Sequence, residues 1–409
     1  YTIKQLWSPI QIMNTSIDRQ FDGKFSVENR YDYLNLNTCR FLWKQVKFPQ
    51  ATDASNTAAQ VLKEGEVQGS DVAAHSAGVL DIKTNILANT DALYLTAIDK
   101  YGHELWRWTF PVDKLNQQTE PISFLSIRPT YTETENDLTV KANKRTFIFS
   151  KKDGQLKGVS VDNRKISFAN GPRFIGARRA DRSLDQFYNH DDEKAKEKDR
   201  TYSEFPDAAV FTKLDVKQDG GDLIVTANYK LGNLDKAQWT ISPSGDLVLD
   251  YTYNFSGVVD LMGICFDYPE DQVISKRWLG AGPYRVWQNR IHGTQYDVWE
   301  NDYNDPIPGE TFTYPEFKGY FGDVSWMNIR TKEGIISLTN ETPNAYVGIY
   351  QPRDGRDRLL YTLPESGISL LNVIPPVRNK VNSTDLCGPS SQPKWVNGPQ
   401  TGRIVFRFE

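Results

Sequence analysis

Aromatic and acidic side chains alternate along Tyr296-Asp297-Val298-Trp299-Glu300-Asn301-Asp302-Tyr303-Asn304-Asp305. Rings in such a strip can stack on the apolar faces of sugars, while the oxygens meet hydroxyl groups or a hard cation. An edge strand with no ligand would read the same way, and the regular spacing of a calcium loop is missing. The four histidines, His75, His103, His190 and His292, are scattered without metal-ligand spacing, so neither a metal nor a cofactor is expected. His190 and His292 are candidates for acid–base work, against the plainer reading of surface or packing histidines. Cys39, Cys265 and Cys387 form no CxxC pair. Their odd number favours free thiols and leaves one long-range bridge open. Asn340-Glu341 follows the strand-like Ile335-Ile336-Ser337-Leu338 and precedes a Pro turn, a setting that offers little to a catalytic acid.

The 10 Trp and 12% aromatic content suit both sheet cores and sugar-stacking platforms, and most of these rings are expected in the core. With 48 basic and 52 acidic residues the net charge is −4, which argues against a nucleic-acid surface. No apolar run approaches the roughly 20 residues that a spanning helix needs. The 409 residues exceed a single core and point to two or three domains. The chain opens with Tyr1 and shows no basic-then-apolar leader, so a mature product or a piece of something longer is expected. The polar, aromatic-rich character is the basis for expecting residence outside the cytoplasm.

The elements that must position these groups read as strands. Period-2 alternation runs through Phe25-Ser26-Val27-Glu28-Asn29-Arg30-Tyr31, Leu223-Ile224-Val225-Thr226-Ala227-Asn228-Tyr229 and Leu247-Val248-Leu249-Asp250-Tyr251-Thr252-Tyr253. Asp153-Gly154 marks one hairpin, and Pro243-Ser244-Gly245 marks another between Trp239-Thr240-Ile241 and Leu247-Val248-Leu249. Helical periodicity is almost absent, and an all-β fold follows. Residues 51–79, rich in Ala, Ser, Asn, Gln and Gly, read as a polar edge or loop region. Residues 189–206, with charges of both signs, read as a solvated loop or short surface helix. A domain boundary is placed near Tyr131, giving domains of 1–125 and 131–409.

Arg277-Trp278-Leu279-Gly280-Ala281-Gly282-Pro283-Tyr284, running on to Gln288-Asn289-Arg290, resembles the Trp-Tyr-Gly-x-Gly-Pro … Asp-Arg signature of family 2 glycoside hydrolases, the β-galactosidase family. That signature lies in the family's last domain. Phe149-Ser150-Lys151-Lys152-Asp153-Gly154-Gln155-Leu156 is similar to the strand hairpin that opens the same domain. Gly171-Pro172-Arg173-Phe174 through Arg179-Ala180-Asp181-Arg182-Ser183-Leu184-Asp185 looks like its pocket-bordering loop, with the Pro and the central Thr-Asp-Asn replaced. Trp7-Ser8-Pro9-Ile10-Gln11-Ile12, the Phe25–Leu36 stretch and Phe41-Leu42-Trp43 resemble the penultimate domain, whose closing strand falls at Trp106-Arg107-Trp108.

The resemblance implies an immunoglobulin-like sandwich followed by a large antiparallel β-supersandwich of the galactose mutarotase-like kind. It implies the C-terminal part of a glycosidase whose two catalytic glutamates lie on a preceding (β/α)₈ barrel, so no catalytic residue is expected in this chain. The partners it implies are that barrel and a β-galactoside-like carbohydrate. Trp395, after Cys387-Gly388-Pro389-Ser390-Ser391-Gln392-Pro393-Lys394, looks like the Trp with which the family reaches the sugar; a strand-edge packing role is the alternative. Arg179, Asp181 and Asp185 are the loop's candidates for sugar hydroxyls. The signature itself reads as structural, with glycines for a tight bend, Pro283 to fix it and Arg290 to brace nearby carbonyls or acids. A free-standing carbohydrate-binding protein is the second reading, and a mutarotase-like aldose epimerase using His190 or His292 is the third.

Overall fold

The structure, a computed structural model, describes residues 1–53, 57–112, 127–178, 202–302, 318–350, 363–377 and 387–409. Among these residues the single α-helix is the short Thr2–Leu6, and four antiparallel sheets carry the fold, as the alternation predicts. The chain divides into two compact units. The first holds Tyr1–Gln117 with the segments Leu279–Pro283 and Ile291–Trp299; the second holds Gln118–Trp278, Tyr284–Arg290 and Glu300–Glu409. The expected boundary near Tyr131 abuts residues 113–126, which lie outside the described residues.

The first unit contains a three-stranded sheet, Ile10–Ile12, Lys24–Asn29 and Ser76–Asp81. It also contains a four-stranded sheet in the order Gln60–Gln68, Arg40–Lys47, Ala92–Ile98 and Glu104–Pro111. Inward side chains of both sheets meet in one core, with Phe25, Val27 and Leu80 from the first and Phe41, Trp43, Leu95 and Phe110 from the second. Alternation is clear in strand Lys24–Asn29, where Phe25 and Val27 are buried between more exposed polar neighbours, whereas strand Ala92–Ile98 is buried almost throughout. The stretch expected as a polar edge or loop is two edge strands, Gln60–Gln68 and Ser76–Asp81. Charged residues such as Lys63, Glu64 and Glu66 blunt the first of these edges.

The second unit is built on larger sheets. In one, the strands run Tyr346–Tyr350, Gly367–Val373, Leu261–Asp267, Ala169–Arg178, Leu156–Val161, Arg145–Ser150, Asp137–Ala142 and Thr130–Glu133. Another places Leu247–Val259 beside Lys394–Phe408, which is followed by Gly334–Asn340. Both predicted hairpins form, with Phe149 opposite Leu156 and Ile241 opposite Leu247. Aromatic rings from the two sheets fill the space between them: Phe149 meets Trp239 at 5.9 Å, and Phe406 meets Phe168 at 5.1 Å and Phe266 at 5.5 Å. Trp239, Phe149, Phe168, Phe266 and Phe406 are fully buried, the placement expected for most of the aromatic content.

Candidate functional site

Trp395 stands at the start of strand Lys394–Phe408, opposite Val258 of strand Leu247–Val259. The two strands pair from Leu247–Phe406 to Val259–Lys394. On its other side, among the described residues, the strand is paired by Gly334–Asn340 only over Ile404–Phe408. At Arg403 the Glu341 N–H donates to the carbonyl at 3.0 Å, and the Thr342 hydroxyl joins it, donating to the same carbonyl at 3.1 Å and accepting from the Arg403 N–H at 2.8 Å. Beyond that point the alternate side chains Trp395, Asn397, Pro399, Thr401 and Arg403 face water, and Trp395 is 70% exposed.

The chemistry along this face is graded. At one end lies an open indole. Next to it, the Ser256 hydroxyl lies 2.8 Å from the Asn397 side-chain oxygen. At the far end Arg403 is neutralised by Asp250 at 2.7 Å and Glu341 at 3.0 Å. An aromatic face beside uncharged amides and hydroxyls is suited to a pyranose, whose C–H face stacks while its hydroxyls hydrogen-bond. Glu341 is therefore tied into a surface ion pair, and the Asn340 amide donates to the Val324 and Thr342 carbonyls. Both residues serve the strand end.

The route into this strand is held from the glycine-rich signature. The Gln288 side-chain amide donates to the Ser390 carbonyl at 3.0 Å and the Gln392 carbonyl at 2.8 Å. The Asn289 amide donates to the Val377 carbonyl at 2.7 Å and the Ser391 hydroxyl at 2.8 Å, and its oxygen accepts from the Val377 N–H at 2.9 Å. Both amides project from a tight turn closed by the Arg290 N–H on the Trp287 carbonyl at 2.9 Å. The residues that brace carbonyls here are thus Gln288 and Asn289, where the sequence reading gave that role to Arg290. Gly282, expected to serve a bend, ends strand Val273–Gly282, and a Cβ there would come within 2.4 Å of the Trp299 indole. Close approach of a ring accounts for that glycine.

The described part of the expected pocket loop, residues 171–178, is not a loop but belongs to strand Ala169–Arg178. Its last residue, Arg178, pairs with Asp260 at 3.3 Å, and the Asp260 N–H donates to the Ala177 carbonyl at 2.9 Å. Asp260 is fully buried and directly follows Val259, the partner of Lys394. The approach to the loop and the start of the Trp395 strand are therefore neighbours through Val258-Val259-Asp260. Arg179, Asp181, Asp185 and His190 lie outside the described residues. Sequence reasoning missed Asp260, whose only signal is a carboxylate inside the apolar run Val258-Val259-Asp260-Leu261-Met262.

Other candidates resolve to structural tasks within the first unit. The two oxygens of Asp297 are engaged, one by the Tyr94 hydroxyl at 2.8 Å and the other by Arg107 at 2.8 Å. Arg107 also donates to the Gln295 side-chain oxygen and stacks over the Tyr94 ring at 4.7 Å. Burial first, then the Asp297 charge, pushes the Tyr94 hydroxyl far above its ordinary range, so it stays a donor. This part of the aromatic–acidic strip is thus an internal brace; residues 303–305 lie outside the described residues. His292 is exposed, and its carbonyl accepts from the Thr2 hydroxyl at 2.9 Å. None of the three cysteines forms a disulfide among the described residues.

In the solved structures, the galactose 1-epimerase from Lactobacillus acidophilus NCFM is similar at 10% identity, over 69% of this chain and 99% of that one, with a TM-score of 0.41. The cycloalternan-forming enzyme from Listeria monocytogenes is similar at 9% identity, over 98% of this chain and 30% of that one, with a TM-score of 0.21. No curated protein sequence matches. The family described as beta galactosidase small chain matches residues 141–373, more than half of the 409 residues and a span that includes the whole Trp278–Arg290 signature. The chain belongs to the beta-galactosidase small chain family.

Proposed function

We propose that this chain is the non-catalytic C-terminal portion of a family 2, β-galactosidase-like glycoside hydrolase. The observation that carries the reading is the family match over residues 141–373. In this reading domains 1–125 and 131–409 buttress a catalytic barrel outside these residues, and the barrel supplies the pair of glutamates that cuts the glycosidic bond. The chain's own contribution to the sugar is Trp395, supported by its open indole and its uncharged polar neighbours, together with Arg179, Asp181 and Asp185 of the loop that follows Arg178. Stacking on Trp395 orients a β-galactoside ring, and the loop groups meet its hydroxyls.

The test is an aryl β-galactoside assay on the purified chain, followed by the same assay with the barrel-bearing partner or parent. The reading expects no turnover from the chain alone and turnover from the assembled enzyme. Turnover by the chain alone that survives rigorous purification overturns it.

A further inference from the structure

The side chains that grip the approach to Trp395 come from a segment about one hundred residues earlier, and they do so with unusual economy. Gln288 spends both amide hydrogens on carbonyls that flank Ser391, and Asn289 uses its donor and its acceptor together, spanning Val377 and Ser391. Gln392 closes the same segment on itself, its amide donating to the Cys387 carbonyl at 2.8 Å. Two residues later the strand begins, and the next side chain is Trp395. That strand has a single partner strand over this length among the described residues, so strand pairing fixes Trp395 from one side only. What fixes it from the N-terminal side is this pair of amides.

We propose that Gln288 and Asn289 are positioning residues for Trp395: they set the path of Cys387–Gln392 and so the place at which the indole meets a β-galactoside. The proposal rests on the reading of Trp395 as the sugar platform. An amide is required for each task. A glutamate at 288 would set a carboxylate against two carbonyl oxygens, and an aspartate at 289 would keep the acceptor for the Val377 N–H while losing both donor bonds.

The experiment uses the complete, barrel-bearing enzyme. Hydrogen exchange across residues 388–396 reads the grip directly, and KM and kcat for an aryl β-galactoside read its consequence. Gln288→Glu and Asn289→Asp should speed exchange in that segment and raise KM about tenfold, with kcat far less affected. Combined with Trp395→Ala, either should add little to the KM increase of Trp395→Ala alone, because both act through one side chain. Unchanged exchange overturns the proposal, as do KM effects that multiply in the double variants. Gln288→Ala, which removes the donors without adding charge, gives the same readouts should Gln288→Glu fail to fold. If Trp395→Ala leaves KM unchanged, the platform reading falls even where exchange reports the grip. If Trp395→Ala raises KM while Gln288→Glu does not, the positioning inference alone falls.

Discussion

Strand Lys394–Phe408 contains two regions that share a partner and differ in nearly everything else. Ile404–Phe408 is buried throughout, held between Leu247–Val259 and Gly334–Asn340, with Phe406 and Phe408 at 0% exposure. Among the described residues Lys394–Arg403 has only the first strand neighbour, and its alternate side chains face water. The switch occurs at Arg403, whose carbonyl accepts from the Glu341 N–H and the Thr342 hydroxyl and whose N–H donates to that hydroxyl; beyond it no strand pairs on that side among the described residues. A second neighbour and a covering layer convert a strand into core, whereas one neighbour leaves a face on which an aromatic ring can be shown to a ligand. The same strand is therefore core at one end and an open face at the other.

The largest effect is expected inside. Phe406→Ala removes a ring packed on Phe168 and Phe266, and chemical denaturation should show a loss of about 3–5 kcal/mol. A loss below about 1 kcal/mol would mean that the inner region is not the sealed half of the pair.

The next effect is a pH limb. Burial, opposed by Arg173, pushes the Cys265 thiol up to about 11 from 9.0, and burial pushes the Tyr251 hydroxyl up to about 12 from 10.0. Tyr251 lies under Gly402 on the covered side of the strand pair, where a Cβ would meet its ring at 2.2 Å. Both groups hold their proton more tightly folded than unfolded. The stability they confer is thus complete below about pH 9 and is lost as pH rises through 11 to 12. The amount is on the order of 2 kcal/mol for each group. Denaturation midpoints measured from pH 8 to 12 should fall across that window; a flat profile would show that this side is wetter than its burial indicates.

The smallest stability effect is expected outside. Trp395→Ala should change unfolding free energy by no more than about 0.5 kcal/mol, because the indole is mostly in water already. Calorimetric affinity for methyl β-galactoside should nonetheless fall about tenfold. A Trp395→Ala protein that loses as much stability as Phe406→Ala would make the two regions one.

Local chemistry made much of the fold legible. Val225, Ala227 and Tyr229 alternate with polar residues and are buried in alternation, and Asp153-Gly154 turns between strands that do pair. The polar composition of residues 51–79 correctly marked edges, but it hid the strands that form them. Composition reports which face meets water more directly than it reports whether backbone pairs are made. Of the described residues of the proposed site, the sequence singles out one side chain, Trp395. Gln288 and Asn289 act on residues about one hundred positions away, and Asp260 meets Arg178 across 82, so no window of neighbouring residues contains either arrangement. Their amides and carboxylate look like ordinary polar residues until the chain brings their partners to them.

Most of the atoms that Gln288 and Asn289 hold belong to the main chain: three carbonyl oxygens and one N–H, with the Ser391 hydroxyl as the exception. A latch of that sort is indifferent to spelling. Positions 388 and 390 could drift through many amino acids while the tryptophan beyond them stayed where it is, whereas a single exchange of amide for acid at 288, remote in sequence and exposed to no sugar, would release it.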